Sequence, residues 1–188
     1  MQNRQIEFYV RSAELSDLDS IQKIYQSARD FMKANGNSTQ WGNDRPHKEN
    51  IESNISKKIQ FVCCYKNENG TEEVAGTFLF MHEKEPSYDD LKDGKWPENT
   101  EDYWCIHSVA SGMKVKGVAS FIFSWCENQP GVKCIKIDTH RNNLPMQHLV
   151  EKNGYIYCGH CYYYEDVETD DGIAQDFERI AFCKVMKK

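Results

Sequence analysis

No stretch of this sequence is apolar for anything near the roughly 20 residues that a membrane-spanning helix needs, and no membrane partner is expected. The opening residues, MQNRQIEFYVR, have no apolar signal-peptide core, so a cytoplasmic protein is the expectation. Lysine and arginine total 23 against 29 aspartates and glutamates, a formal charge of −6, and no basic stripe gathers on any segment. That pattern argues against nucleic acid as a main partner and mildly suits a cationic acceptor. There is no internal repeat and no low-complexity segment. Cysteine is not scarce, but the second pair that would complete a zinc finger around Cys158-Gly-His-Cys161 is missing. A redox CxxC usually opens a helix, whereas this one lies in a strand-like, tyrosine-rich run. Most of the other cysteines (Cys63, Cys64, Cys105, Cys126, Cys134 and Cys183) stand among apolar residues, as reduced, buried cysteine does. No metal is expected. A thiol-redox or metal protein built on Cys158 and Cys161 remains the rival reading, which predicts bound zinc or a cysteine pair of depressed pKa.

The length, 188 residues, suits a single domain spanning 1–188 that buries its core without disulfide staples. Ile6, Phe8 and Val10 alternate with Glu7, Tyr9 and Arg11 as a strand does. Ser16-x-x-Asp19 has the form of a capping box. Leu18, Ile21, Ile24, Tyr25, Ala28, Phe31 and Met32 then recur at helical spacing as far as Asn35-Gly36. A turn-rich connection carries Trp41, which either lines a pocket or plugs the core. A second helix is predicted over 46–57, and strands over 60–65 and 74–80. The segment 83–102 holds eight acidic and three basic residues with two prolines. Loops of this length often cover binding sites, but a solvated insertion is the preferred reading. Strands are predicted over 103–110, 132–139, 155–164 and 177–186, helices after 117 and over 145–152, and an acidic hairpin loop over 165–176.

The stretch WCIHSVASGMKVKGVASFIFSWC, Trp104 to Cys126, organises the rest. A strand breaks at Ser111-Gly112, and Lys114, Lys116 and Gly117 precede a helix carrying Val118, Ile122, Trp125 and Cys126. A basic, glycine-containing turn ahead of a helix is an anion site, because the first N–H groups lack internal partners and the dipole favours negative charge there. The order Lys114-x-x-Gly117-x-Ala119 resembles the Q/R-x-x-G-x-G/A pyrophosphate loop of the GNAT-type N-acetyltransferases, with Lys114 departing from the Gln/Arg slot. Asn143-Leu-Pro-Met-Gln-His-Leu-Val-Glu-Lys-Asn-Gly154-Tyr155 resembles the same family's N-x-x-A-x-x-x-Y-x-x-x-G-F signature. Asn143 and Gly154 match, Tyr155 takes the Phe position and Met146 replaces the Ala. The coarse element order, β-α-α-β-β-β-α-β-α-β-β, matches the family across nearly the whole chain.

The resemblance implies the GNAT α/β fold: a mixed, mostly antiparallel sheet with one parallel pair at the coenzyme site, flanked by helices. It implies acetyl-CoA as co-substrate and an amine acceptor, with a homodimer expected by family habit only. The coenzyme residues it implies are Lys114, Val115, Lys116, Gly117, Val118, Ala119 and Ser120 for the pyrophosphate, backbone near Val109 and Ala110 for the thioester oxyanion, and Asn143 beside the pantetheine arm. Val150 stands where many members carry a Tyr that protonates the leaving thiolate, and valine cannot donate a proton. Tyr155, Tyr157, His140 and His148 remain open as substitutes, as does unassisted departure of the thiolate. For the base, period-two alternation places Tyr103, Cys105, His107 and Val109 on one strand face. His107 is thus the first candidate, since an imidazole of ordinary pKa about 6.5 suits proton abstraction; His140 is the second. A plain hydrogen-bonded strand histidine and a loop brace are their respective alternatives. A non-catalytic acyl-CoA sensor on the same fold remains the second functional reading.

Overall fold

The computed structural model describes residues 6–163 and 177–186. The expected hairpin loop 165–176 and the end of the strand predicted to reach Tyr164 lie outside the described residues. The elements run β1 (Phe8–Ser12), α1 (Leu18–Ala34), α2 (Lys48–Ser56), β2 (Gln60–Lys66), β3 (Glu72–Met81), β4 (Trp104–Ser111), α3 (Val118–Glu127), β5 (Cys134–His140), α4 (Leu144–Lys152), β6 (Ile156–Tyr162) and β7 (Glu178–Val185). They form a seven-stranded sheet ordered β1-β2-β3-β4-β5-β7-β6. Every pairing is antiparallel except β4 with β5. Among the described residues no helix is long and apolar enough to cross a membrane.

Alternation along the strands sorts side chains to two faces. On one face Cys63, Phe78, Phe80, Ile106, Ile135 and Ile137 pack against Val118, Ile122 and Phe123 of α3 and Val150 of α4. On the other, Val62 and Cys64 meet Ile21, Ile24 and Tyr25 of α1 and Ile51 and Ile55 of α2. The start of α1 is fixed differently from the expected Ser16-x-x-Asp19 box. A 3-10 turn over Leu15–Asp17 precedes the helix. Asp17 accepts the Glu14 N–H at 2.8 Å and a two-pronged Arg11 guanidinium at 2.7 and 2.8 Å.

The segment 83–102 corrects the expectation of a solvated insertion. Tyr88 is buried, as is Tyr103 just beyond the segment. With Leu91 and Trp96 they roof the sheet over Cys105, Cys134, Cys158, Cys161, Ala181 and Cys183. The Trp96 indole N–H donates to the Tyr88 carbonyl at 2.8 Å. Lys92 and His160 exchange two backbone hydrogen bonds of 2.8 Å at the free edge of β6. Gly94 lies so close to the Cys158 carbonyl that a Cβ there would collide with it. The segment thus serves as a third cover for the sheet, where a helix is absent. Its anchoring aromatics follow no 2- or 3.6-residue period, so acidic composition hid them.

All eight cysteines are buried and unbridged. Burial pushes the Cys63 and Cys64 thiols up to about 12, and Cys161 higher still. Cys158, by contrast, is lowered by its contact with Cys183. The CxxC pair therefore does not share a depressed pKa, and Cys158 and Cys161 pack in one buried cluster. Among the described residues no group of three or more His, Cys, Asp or Glu side chains is arranged to hold a metal ion.

Candidate active site

The site begins where β4 loses regularity. Between β3 and β4 the register passes from Thr77↔Ala110 to Leu79↔His107, two steps on one strand against three on the other. The extra residue falls at Ser108, whose φ of 51° marks a bulge. The bulge corrects the expected face sharing: Val109 joins Ile106 on the α3 side, while Ala110 turns to the α1 side. His107 therefore does not share a face with Val109. Beneath the bulge lies a polar brace. Gln60 Nε2 donates to Thr77 Oγ1 at 2.6 Å and to Tyr25 Oη at 3.3 Å, and Thr77 donates to the Phe61 carbonyl at 2.9 Å. Burial pushes the Tyr25 phenol up to about 12, so it remains a neutral hydroxyl.

A second irregularity lies beside the first. The parallel pair β4–β5 is registered only at Trp104↔Ile135 and Cys105↔Lys136. Beyond those residues the strands part, and a cleft of about 570 Å³ runs through the gap. Ser108, Val109, Ala110 and Ser111 line it from β4, Ile137, Asp138 and Thr139 from β5, and Met146 and Leu149 from α4. Ala28, Met32 and Trp41 close it from the α1 side. Trp41 also packs edge-on to Tyr25 with ring centres 5.4 Å apart, so it both lines the cleft and plugs the core.

At one end of the cleft stands the turn into α3. Gly117 caps the helix at φ 90°, and its carbonyl accepts the Phe121 N–H at 3.0 Å. The N–H groups of Val118, Ala119 and Ser120 precede that first helical bond and have no acceptor within the helix. Lys114 and Lys116 are exposed, while Val115 packs inward against the core. Ala119 reaches the cleft lining. These groups fit a pyrophosphate: free N–H donors, a positive dipole end, two ammonium groups, and a glycine that leaves the backbone open to close approach.

At the other end three titratable side chains meet. His107 Nε2 lies 3.8 Å from Glu85 Oε2, and His107 Nδ1 lies 3.7 Å from Asp138 Oδ2. Asp138 Oδ2 accepts the Tyr88 hydroxyl at 2.7 Å and the Tyr163 hydroxyl at 2.8 Å. Glu85 Oε1 accepts the N–H and the hydroxyl of Ser87 at 3.2 and 3.0 Å. Burial and the Asp138 charge push the Tyr88 phenol well up, which keeps it a donor to that carboxylate. Glu85, His107, Asp138 and Tyr163 all line the cleft. Sequence reasoning missed Glu85 and Asp138. An aspartate inside the apolar strand CIKIDTH was the available signal, since strands are depleted in it; Glu85 had none.

The remaining candidates stand elsewhere. His140 is fully buried, and its Nδ1 accepts the Asn142 N–H at 3.1 Å, which makes it a brace for the turn into α4. Tyr155 is buried against Phe123, 5.5 Å between ring centres, and is not on the cleft wall. Burial drives its phenol strongly upward. His148 is exposed, and Tyr157 sits half exposed on the edge strand β6. Asn143 lines the cleft as the cap of α4: its Oδ1 accepts the Met146 N–H at 3.3 Å, and its Nδ2 donates to Gln40 Oε1 at 2.9 Å.

No family model matches the chain, and no curated protein matches its sequence. Solved structures do. An acetyltransferase of the GNAT family from Streptococcus agalactiae is 25% identical, covers 96% of both chains and superposes with a TM-score of 0.78. The fold is that of the GNAT acetyltransferases. Another of that family, from Listeria monocytogenes, is 20% identical over 96% of both chains, with a TM-score of 0.63. A protein from Salmonella typhimurium, assigned as an acetyltransferase and solved with its cofactor acetyl-CoA, is 14% identical with a TM-score of 0.58; the match covers 96% of this chain and 95% of that one. These likenesses bear out the GNAT resemblance and the mixed sheet with its parallel pair, and they support an acyltransferase.

Within the GNAT frame the α4 signature changes meaning. Val150, at the usual tyrosine position, is fully buried in the core, and the cleft-lining residues of α4 are Pro145, Met146 and Leu149, all apolar. No side chain of α4 that reaches the cleft could protonate a leaving group. Val150→Tyr is expected to lower stability by about 1–3 kcal/mol through overpacking, with no gain in turnover. A thermal melt alongside a turnover assay checks both; a faster, undamaged variant would show that position 150 reaches the cleft.

Proposed function

We propose that this protein transfers the acetyl group of acetyl-CoA to the primary amine of a small molecule or peptide, by direct attack within a ternary complex. The supporting observation is the single cleft that joins the N-terminus of α3 to His107 through the gap between β4 and β5. The stretch Lys114 to Ser120 would hold the pyrophosphate, with Asn143 beside the pantetheine arm and backbone at Val109 and Ala110 near the thioester oxygen. An acceptor amine of pKa about 10 arrives protonated and must lose that proton to become nucleophilic. His107 takes it. The amine nitrogen then bonds to the thioester carbonyl carbon, the oxyanion collapses and the C–S bond breaks. The coenzyme leaves as a thiolate, and the second proton of the attacking nitrogen, now acidic, passes to that thiolate or to water, since α4 offers no donor. The whole chain, 1–188, is read as one catalytic domain. Eight unbridged cysteines support a reducing, cytoplasmic setting.

A thermal-shift titration with acetyl-CoA, followed by an assay of free thiol release with an amine panel, tests the reading. Ligand at a hundredfold excess over Kd is expected to stabilise the protein by about 2.7 kcal/mol, a rise of several degrees in Tm. No shift at millimolar coenzyme would sink the proposal. A shift without thiol release on any amine would favour a non-catalytic sensor, the reading that the apolar α4 face makes second choice.

A further inference from the structure

The His107 end of the cleft gathers two little-exposed carboxylates, Glu85 and Asp138. The Glu85 and Asp138 side chains are only 22% and 5% exposed. Among the described residues neither has a lysine or arginine within ion-pair distance, and His107 is the one basic side chain near both. A carboxylate withdrawn from water without a cation is costly, and a cationic ligand would relieve that cost. Part of the surrounding wall is aliphatic. Leu79 stands directly across from His107 in the β3–β4 register, Met81 stands across from Cys105, and both line the cleft. The arginines of the cleft, Arg45 and Arg179, come from the α1–α2 connection and from β7.

Resting on the acyltransferase reading, we propose that the acceptor is an aliphatic primary amine with no carboxylate beside its amino group, and that Glu85 selects it. The alkyl chain lies along Leu79 and Met81. The ammonium approaches Glu85 Oε2, the oxygen not engaged by Ser87, beside the His107 ring. An α-amino acid would bring its own carboxylate within a few ångströms of Glu85 and Asp138, where like charges repel in a half-dry site. Glu85 is supplied by the 83–102 segment, so the segment that roofs the sheet also sets acceptor specificity.

The test compares n-pentylamine with norleucine, which is the same chain with a carboxylate added at the amine-bearing carbon, in the wild type and in Glu85→Gln. Glutamine keeps the Oε1 acceptor for both Ser87 bonds, so the local fold is retained. Both proteins are first titrated with acetyl-CoA, and the thermal shift is expected to be equal. The wild type is expected to favour pentylamine by at least about tenfold in kcat/KM. Glu85→Gln is expected to raise the pentylamine KM by about tenfold or more, with kcat within about threefold, and to narrow the preference over norleucine. A wild type that does not bind the coenzyme takes the parent reading down as well. A wild type that turns over amines but prefers norleucine, or a Glu85→Gln variant with unchanged KM, overturns the Glu85 assignment alone.

Discussion

His107→Gln is expected to lower kcat for amine acetylation by about 10²- to 10⁴-fold, with acetyl-CoA binding unchanged. The imidazole is the one side chain with a basic nitrogen on the cleft wall that meets both carboxylates among the described residues, at 3.8 Å from Glu85 and 3.7 Å from Asp138. Its side chain is 15% exposed, but Nε2 itself is buried without a hydrogen-bond partner, so an acceptor's proton reaches it only once the ring or the Glu85 carboxylate shifts. In the proposed mechanism Asp138, fixed by the hydroxyls of Tyr88 and Tyr163 and 3.7 Å from Nδ1, would stabilise an imidazolium formed on proton transfer. Glutamine keeps a polar group between the two carboxylates but cannot act as a base near neutral pH. The coenzyme titration controls for folding. A fall in kcat with an unaltered thermal shift, together with loss of the alkaline rise in the pH–rate profile, supports the role of base. A fall smaller than about threefold would mean that water or Glu85 removes the proton, and that His107 is only a strand histidine packed 6.2 Å from Tyr88, ring centre to ring centre.

Most of the fold was legible because its elements carry periodic patterns. Ile21, Ile24, Tyr25 and Met32 follow one helical stripe, and the strands from β2 to β5 are short apolar runs bounded by turn residues, which place them within a residue or two. The turn proposed for the pyrophosphate stands out in the sequence for a different reason: a glycine at the helix start is a local backbone requirement, and Gly117 sits at φ 90°. The other half of the site was not legible because long-range packing builds it. One inserted residue at Ser108 reverses the facing of every later position on β4, which no alternation count reveals. Glu85 reaches His107 only because Tyr88, Trp96 and Tyr103 pin an aperiodic, acid-rich segment to a cluster of cysteines. Lys136 shows the same limit. A lysine in a strand would ordinarily be placed outward, yet it is 4% exposed, with its ammonium 4.2 Å over Trp96 and 3.8 Å over Tyr103. Burial pulls its pKa down, and the two ring faces supply part of the stabilisation that water would otherwise give.

At the opposite end of the cleft, Gly117→Glu is expected to weaken acetyl-CoA binding by about 100-fold or more, equivalent to roughly 2.7 kcal/mol. Two effects combine. The side chain places a carboxylate where the N–H groups of Val118, Ala119 and Ser120 and the dipole of α3 would otherwise face the pyrophosphate. Its Cβ also closes part of the backbone surface that a diphosphate must approach. The substitution carries a separate conformational cost of about 1 kcal/mol, because φ is +90° and only glycine adopts that region freely. Space is not the obstacle in the free protein: the nearest atom to a new Cβ would be Phe8 Cε2 at 3.9 Å. Gly117→Asn separates the two effects, since asparagine tolerates left-handed backbone and caps helices well but brings no charge. The asparagine variant is expected to melt within a few degrees of the wild type and to lose much less of its coenzyme shift. The glutamate variant is expected to melt similarly yet show almost no shift at concentrations that saturate the wild type. Equal shifts in all three proteins would move the coenzyme away from this turn, and Lys114 and Lys116 would then be ordinary solvated charges on a strand-to-helix connection.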